Sequence, residues 1–332
     1  MALRLIALEE HYLSNRLLES DGLPSKKKLT SVHPTIYNQL VDTGSHRISD
    51  MDKHSIGLQV LSHVPVHPTK DVVRRTNDDL GSIISRNPTR YAGFALLSMD
   101  NAEEAAMELE RSVNQHGFVG ALIGNNLDDG GFYDTEQYDS LWLKAQQLDV
   151  PIYLHPAFPS QQQMENLYNG PYDSSVAVAL GCWSFGWHSM TGLHVLRLFA
   201  AKVFDRHPKL KIIIGHMGEM LPFMLDRIIK SVSSWPADLQ PRRTLRQVWD
   251  ENIWVTTSGV FALGPIKCLL EETKVDRILF SIDYPYAPNE AGAKFIQDLA
   301  SSGIVTNEEL EGIAYKNAAK LLGLKVEQQL QT

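Results

Sequence analysis

Arg4-Leu5-Ile6-Ala7-Leu8-Glu9-Glu10-His11 runs from four consecutive apolar residues straight into two carboxylic acids and an imidazole. The apolar part, Arg4–Leu8, reads as a strand buried on both faces, the pattern that parallel sheets produce because crossover helices cover them on each side. Seven further runs read the same way: Gly57–Leu61, Tyr91–Ala95, Phe118–Ile123, Pro151–Leu154, Leu210–Ile214, Ile253–Thr256 and Arg277–Ser281. Helical stretches separate them: Val72–Arg86, Asn101–Gln115, Glu136–Leu148, Gly192–Asp205, Met217–Ser231, Leu245–Asp250, Leu263–Glu272, Pro288–Ser301 and Asn307–Leu322. Asn101 with Glu104, and Thr306 with Glu309, have the spacing of capping boxes, and Gly117 is placed to end the helix before it. Eight strands alternating with helices predict an α/β chain folded as a (β/α)8 barrel. An open doubly wound sheet fits less well, since no strand is followed by Gly-x-Gly-x-x-Gly. No repeat or linker divides the chain, so residues 1–332 are expected to form a single domain.

Composition narrows the function. With 31 basic and 39 acidic residues the net charge is −8, which disfavours a nucleic-acid groove. The densest basic runs, Lys26-Lys27-Lys28 and Arg242-Arg243, are short and read as solvated surface. Two isolated cysteines, Cys182 and Cys268, make no disulfide framework and suit a reducing compartment. Neither a signal-peptide core nor an 18-residue apolar run is present, so a cytoplasmic protein is expected. Two long insertions follow strands 1 and 5, at Tyr12–Met51 and Ala157–Ser189. The second carries Tyr168, Tyr172, Trp183, Phe185 and Trp187, and loops at this end of a barrel usually set selectivity.

The polar residues of interest fall at one end of the strands. Glu9, Glu10 and His11 follow the first, His63 the second, Asn125 and Asn126 the fourth, and His155 the fifth. His216 follows the sixth, Thr257 and Ser258 the seventh, and Asp283 the eighth. A barrel gathers all these ends on its catalytic face. Alternation puts Glu9 and His11 on one side of their strand and Glu10 on the other. Glu9-x-His11 alone reads more readily as a strand ending in solvent than as a ligand pair. His155 alone reads as a hydrogen-bonded rim residue, and Glu219 as a favourable charge at a helix N-terminus. Asp283, a carboxylate ending a buried strand, needs a partner, and Pro285 and Pro288 delay any helix it would cap, though each of these signals alone is weak. Three histidines and two carboxylates on four strand ends together suit a mixed N/O site for Zn²⁺, Mn²⁺ or Fe²⁺, with Mg²⁺ tolerated. Gly215 and Gly218 allow close approach around His216, and Glu219 is placed to orient its ring. His63, Asn125 and Trp187 are candidate substrate contacts. Arg227 is a candidate for the substrate carboxylate, with a surface or interface ion pair as its alternative. His188 and His194 read as structural, and His33, His46, His54, His67, His116 and His207 as surface or packing residues.

Ala7-Leu8-Glu9-Glu10-His11, Tyr153-Leu154-His155-Pro156, Ile214-Gly215-His216-Met217-Gly218-Glu219 and Phe280-Ser281-Ile282-Asp283-Tyr284-Pro285 together resemble the amidohydrolase superfamily. The resemblance is to its aminocarboxymuconate-semialdehyde decarboxylase branch, and within it to the γ-resorcylate and 2,3-dihydroxybenzoate decarboxylases. It spans nearly the whole chain, including Leu193–Pro208 and Asn317–Leu324. It implies one divalent ion, Zn²⁺ expected and Mn²⁺ or Mg²⁺ as alternatives, held by Glu9, His11, His155 and Asp283. It implies His216 with Glu219 as a polar pair beside the ion, and a homodimer or homotetramer. Two departures stand out. Glu9 replaces the first histidine of the common His-x-His, and Trp187-His188-Ser189-Met190 lies where relatives often carry an acid. The implied reaction is nonoxidative decarboxylation of an ortho-hydroxybenzoate, with Asp283 donating the proton and His216 with Glu219 assisting. The alternatives are hydrolysis of a lactone or amide on the same barrel, and a catalytically silent barrel that binds a small aromatic acid.

Overall fold

The computed structural model describes residues 4–19, 33–66 and 68–325; the Lys26–Lys28 run and His67 lie outside them. Eight parallel strands follow one another in space as in sequence. They are β1 (Leu5–Tyr12), β2 (Ile56–His63), β3 (Tyr91–Gly93), β4 (Ala121–Gly124), β5 (Ile152–His155), β6 (Ile212–Ile214), β7 (Ile253–Thr256) and β8 (Ile278–Leu279). Regular ladders join β1 to β3 and β4 to β8. Two bridges complete the circle. Ala95 pairs with Ala121 beyond the end of β3, and Glu10 pairs with Tyr284 beyond the end of β8, where the His11 N–H donates to the Tyr284 carbonyl at 2.7 Å. With each strand bonded on both sides the expected (β/α)8 barrel is formed and leaves no open edge.

Side-chain alternation sorts the strand residues into two layers. Ile6, Leu8, Leu58, Val60, Phe94, Leu122, Tyr153, Ile213 and Leu279 pack together in the lumen, closed at one end by Ala318 and Leu322. Their neighbours Ala7, Leu61, Ile123, Leu154, Ile214 and Val255 pack outward with the helices. One irregularity matters for function. Ala7 pairs with Gln59 but Glu10 with Leu61, so three steps along β1 match two along β2. This bulge lets consecutive residues Leu8 and Glu9 both turn inward, Leu8 to the lumen and Glu9 to the strand-end site, while Glu10 turns out.

Most helices begin and end where their sequence signals lie. Thr306 and Glu309 form the reciprocal capping box. Asn101 caps its helix by accepting from the Glu103 and Glu104 N–H groups, but Glu104 does not reciprocate and instead pairs with Lys70 at 2.9 Å. Gly117 closes that helix at φ 67°. The helix expected at Gly192–Asp205 begins earlier, at Gly186, and breaks at Lys202, which takes a left-handed conformation. The helix expected from Met217 begins at Leu221, for a reason given below. No described helix is long and apolar enough to cross a membrane.

His194 shows how the scaffold fixes a buried imidazole. Its Nε2 accepts from the Tyr133 N–H at 3.1 Å and its Nδ1–H donates to the Asn125 carbonyl at 2.7 Å, so the neutral ring is fully satisfied. Burial pushes its pKa down to about 4. The unfolded chain therefore binds the extra proton first, and stability falls as the pH drops from about 6.5 toward 4, by at most about 3 kcal/mol for this group. Denaturant titrations of wild type and His194→Gln should converge over that window. A constant gap between them would refute this account.

Candidate metal centre and active site

Glu9 and His11 on β1, His155 at the end of β5 and Asp283 beyond β8 bring one ligand atom each to within 4.8 Å of one another. Glu9 is fully buried. Its Oε2 accepts hydrogen bonds from the Tyr153 and Ser258 hydroxyls. Its Oε1 makes no hydrogen bond, although His155 Nε2 lies 2.9 Å away and His216 Nε2 3.6 Å away. His155 Nδ1–H donates to the Pro156 carbonyl at 2.6 Å, which leaves the Nε2 lone pair facing the centre. His11 Nε2 lies 3.1 Å from that same nitrogen and 3.3 Å from Asp283 Oδ1. A shared cation would satisfy the orphaned carboxylate oxygen and the two converging imidazole nitrogens, and two neutral imidazoles with two carboxylates suit a divalent ion. Gly215 makes room for the arrangement, because a Cβ there would sit 2.9 Å from Glu9 Oε2.

Protonation of His155 and His216 would meet the same need for positive charge. Burial alone would raise the Glu9 carboxyl, but His216 and His155 outweigh it and hold the group below its usual range. Burial opposes ionisation of Asp283 too, and its contacts with His11 and His216 hold it far below the ordinary carboxylate range.

His216 is presented by an unusual backbone. His216, Met217, Gly218, Glu219 and Met220 all have positive φ, from 50° to 90°, so the chain makes a left-handed turn in place of the expected right-handed helix start. Only Gly218 adopts this conformation freely; each of the others costs about 1–2 kcal/mol. A side chain at 218 would also meet Pro222 Cδ at 2.8 Å. The turn is held by Glu219, which is fully buried and accepts from His216 Nδ1–H at 2.8 Å and from His188 Nδ1–H at 2.8 Å. Burial would raise Glu219, but His216 and His188 lower it. Burial would lower His216, but Glu219 and then Glu9 raise it well above the usual imidazole value.

A cavity of about 610 Å³ opens above these groups. His11, His155, His216 and Asp283 form part of its lining, and Val64, Pro65, Phe158, Trp183, Trp187, Val260 and Tyr286 are among its apolar and aromatic walls. Of the four anticipated substrate contacts, Trp187 lines the cavity. The other three are placed elsewhere. His63 is buried beside Tyr12 and donates to the Val64 carbonyl at 2.8 Å. Asn125 ties the wall together from behind, donating to Thr191 Oγ1 at 2.8 Å and accepting from the Ala157 N–H at 3.1 Å. Arg227 is exposed on the helix Leu221–Val232 and is absent from the lining. Conversely, His33 and His188, read from sequence as packing or structural residues, both line the cavity, as does Tyr286. Tyr153 was also missed as the anchor of Glu9. Its signal is a lone hydroxyl in an otherwise apolar strand.

The sequence profile of the amidohydrolase family matches residues 46–324. Decarboxylase orsB of Emericella nidulans is 48% identical over 322 residues, 96% of each chain. The γ-resorcylate decarboxylase of Polaromonas sp. is 35% identical, over 96% of this chain and 98% of that one. The crystal structure of a dihydroxybenzoic acid decarboxylase from Polaromonas, with bound manganese and the inhibitor 2-nitroresorcinol, aligns with a TM-score of 0.84 at 32% identity and covers 99% of each chain.

Because Glu219 is the largest influence raising His216, Glu219→Gln in metal-free protein should lower the His216 pKa. NMR titration of the ring protons reads this directly, and an unchanged titration would mean that Glu219 does not govern the ring's charge.

Proposed function

The chain belongs to the amidohydrolase family, and on that premise we propose that it is a metal-dependent, nonoxidative decarboxylase of ortho-hydroxybenzoic acids. The observation that carries this reading is the buried, unbonded Glu9 Oε1 facing His155 at the floor of an aromatic-walled cavity. Glu9, His11, His155 and Asp283 would hold the ion, with manganese favoured by the Polaromonas relative and zinc also compatible with two nitrogen and two oxygen donors. When bound, the ion would supply Lewis-acid chemistry toward the anionic oxygens of the substrate.

The chain's own residues do the rest. The walls formed by Phe158, Trp187 and Val260 hold the ring and exclude water. Asp283 is the most exposed of the four ligand side chains, at 17% against 0–10% for the others, and it faces the cavity. It delivers a proton to the ring carbon that bears the carboxylate. A C–H bond forms, the bond to the carboxylate carbon breaks, its electron pair returns to the ring, and CO2 leaves. Asp283 is ionised at rest, so it must first gain that proton. His216 is placed to give it, with Nε2 3.8 Å from Asp283 Oδ2 and its charge sustained by Glu219.

The test is a screen of hydroxybenzoic acids for CO2 release, with and without chelator. Turnover should disappear with chelator and return on adding Mn²⁺ or Zn²⁺. Asp283→Asn should lose roughly 10²–10⁴-fold in turnover while its circular dichroism stays native. Glu9→Gln should purify with little metal by elemental analysis. Full activity in Asp283→Asn, or CO2 release indifferent to chelator, would sink the mechanism.

A further inference from the structure

Two histidines of the cavity, His33 and His188, have no part in the chemistry above, and of these His188 is bonded to Glu219. His188, near the start of the helix Gly186–Ala200, lines the cavity and faces the turn at 216–220, against which Gly192 of the same helix also packs closely. Its Nε2 accepts from the Trp187 indole N–H at 3.0 Å. That bond fixes the tautomer, so Nδ1 carries the hydrogen and donates to Glu219 Oε2 at 2.8 Å. The other oxygen of Glu219 is taken by His216. The His188 and His216 rings meet edge to face with centroids 4.5 Å apart. A continuous chain of hydrogen bonds thus runs from Trp187 through His188 and Glu219 to His216.

We infer that His188 is a positioning residue that clamps the left-handed turn bearing His216 and, with its other nitrogen, sets the Trp187 indole as the plate against which the substrate ring lies. Two independent features support this. The turn at residues 216–220 holds four non-glycine residues at positive φ, a conformation that persists only where side chains over-determine it, and Glu219 is its tether. Trp187 is the hub of an aromatic wall, with Phe158 at 5.9 Å and Trp183 at 6.3 Å between ring centroids, and its N–H bond to His188 fixes the indole's orientation. No other side chain joins wall and turn so directly among the described residues. His188 acts through its two neighbours and touches no reacting atom.

The kinetic arm of the test rests on the proposed decarboxylation; the spectroscopic arm does not. His188→Leu removes both bonds. His188→Gln keeps one amide oxygen to accept from Trp187 and one amide N–H to donate to Glu219. With 2,6-dihydroxybenzoate as substrate, His188→Leu should lower kcat about 10–100-fold at unchanged metal content, the size of effect that outer hydrogen-bond partners have at such sites. His188→Gln should recover most of the loss. The Trp187 indole N–H resonance, identified by its absence in Trp187→Phe, should move in His188→Leu and return toward its native position in His188→Gln. Wild-type kinetics in His188→Leu would overturn the inference, as would equal losses in the Leu and Gln variants. If the wild type decarboxylates no hydroxybenzoate, the proposed reaction fails on its own account. The indole resonance then decides: unmoved in His188→Leu, it removes the clamp; moved and restored by Gln, it keeps it.

Discussion

The site depends on one ionised carboxylate placed where no water reaches it. Glu9 is completely buried, and an unpaired charge in that position would cost far more than a folded domain can spare. Every neighbour answers that demand. Tyr153 and Ser258 donate to one oxygen, His155 and His216 bring positive potential toward the other, and Gly215 withdraws so that the group fits. Such a cluster is worse than an apolar core when any member is missing, because the remaining partners are left buried and unsatisfied. The orphaned Oε1 is that deficit made visible, and a cation at the candidate site would supply what is lacking.

The same economy explains the left-handed turn. A right-handed helix starting at Met217, as the apolar periodicity suggests, would carry Glu219 along a regular helical face. The left-handed turn folds it back so that Nδ1 of His216 and Nδ1 of His188 reach its two oxygens. Strain in the backbone is offset by charge-assisted hydrogen bonds in a dry environment, where they are strongest. The result is an imidazole held protonated within 3.8 Å of Asp283.

Much of this was legible in the residues. Parallel strands advertise themselves as continuous apolar runs, and all eight were located within a few residues. The strand-end acids and histidines were legible because burying them needs a reason. Other features left no mark. His188 and His33 reach the cavity only through the paths of the long loops, which local pattern does not encode. His63 sits at a strand end as His155 does, yet it is spent on a backbone carbonyl. The turn at 216–220 contains glycines that permit close approach, but nothing in its sequence announces that four other residues also take positive φ. Glu104 was read as half of a capping box and found a lysine in another helix more rewarding.

The pair Glu9-Glu10 shows how finely backbone decides chemistry. Two identical side chains, adjacent and both fully buried, are pushed in opposite directions. Glu9 is held below its usual range by its histidines. Glu10 is pushed up to about 8 by burial, which the Arg47 charge and the Ile282 N–H only partly offset. It accepts from the Ile282 N–H at 3.0 Å and from Ser281 Oγ at 3.2 Å, knitting β1 to the segment that carries Asp283. Environments that drive two carboxyls apart in pKa assign them different work. Here the bulge between Ala7 and Glu10 makes the assignment. Without it, strict alternation would turn inward the neighbours of Glu9 on either side, Leu8 and Glu10. Glu10 would then enter the site beside the histidines, and Glu9 would be left among the residues behind the barrel wall. One extra residue in one strand therefore selects which acid faces the candidate metal site and which serves as a structural hydrogen-bond acceptor.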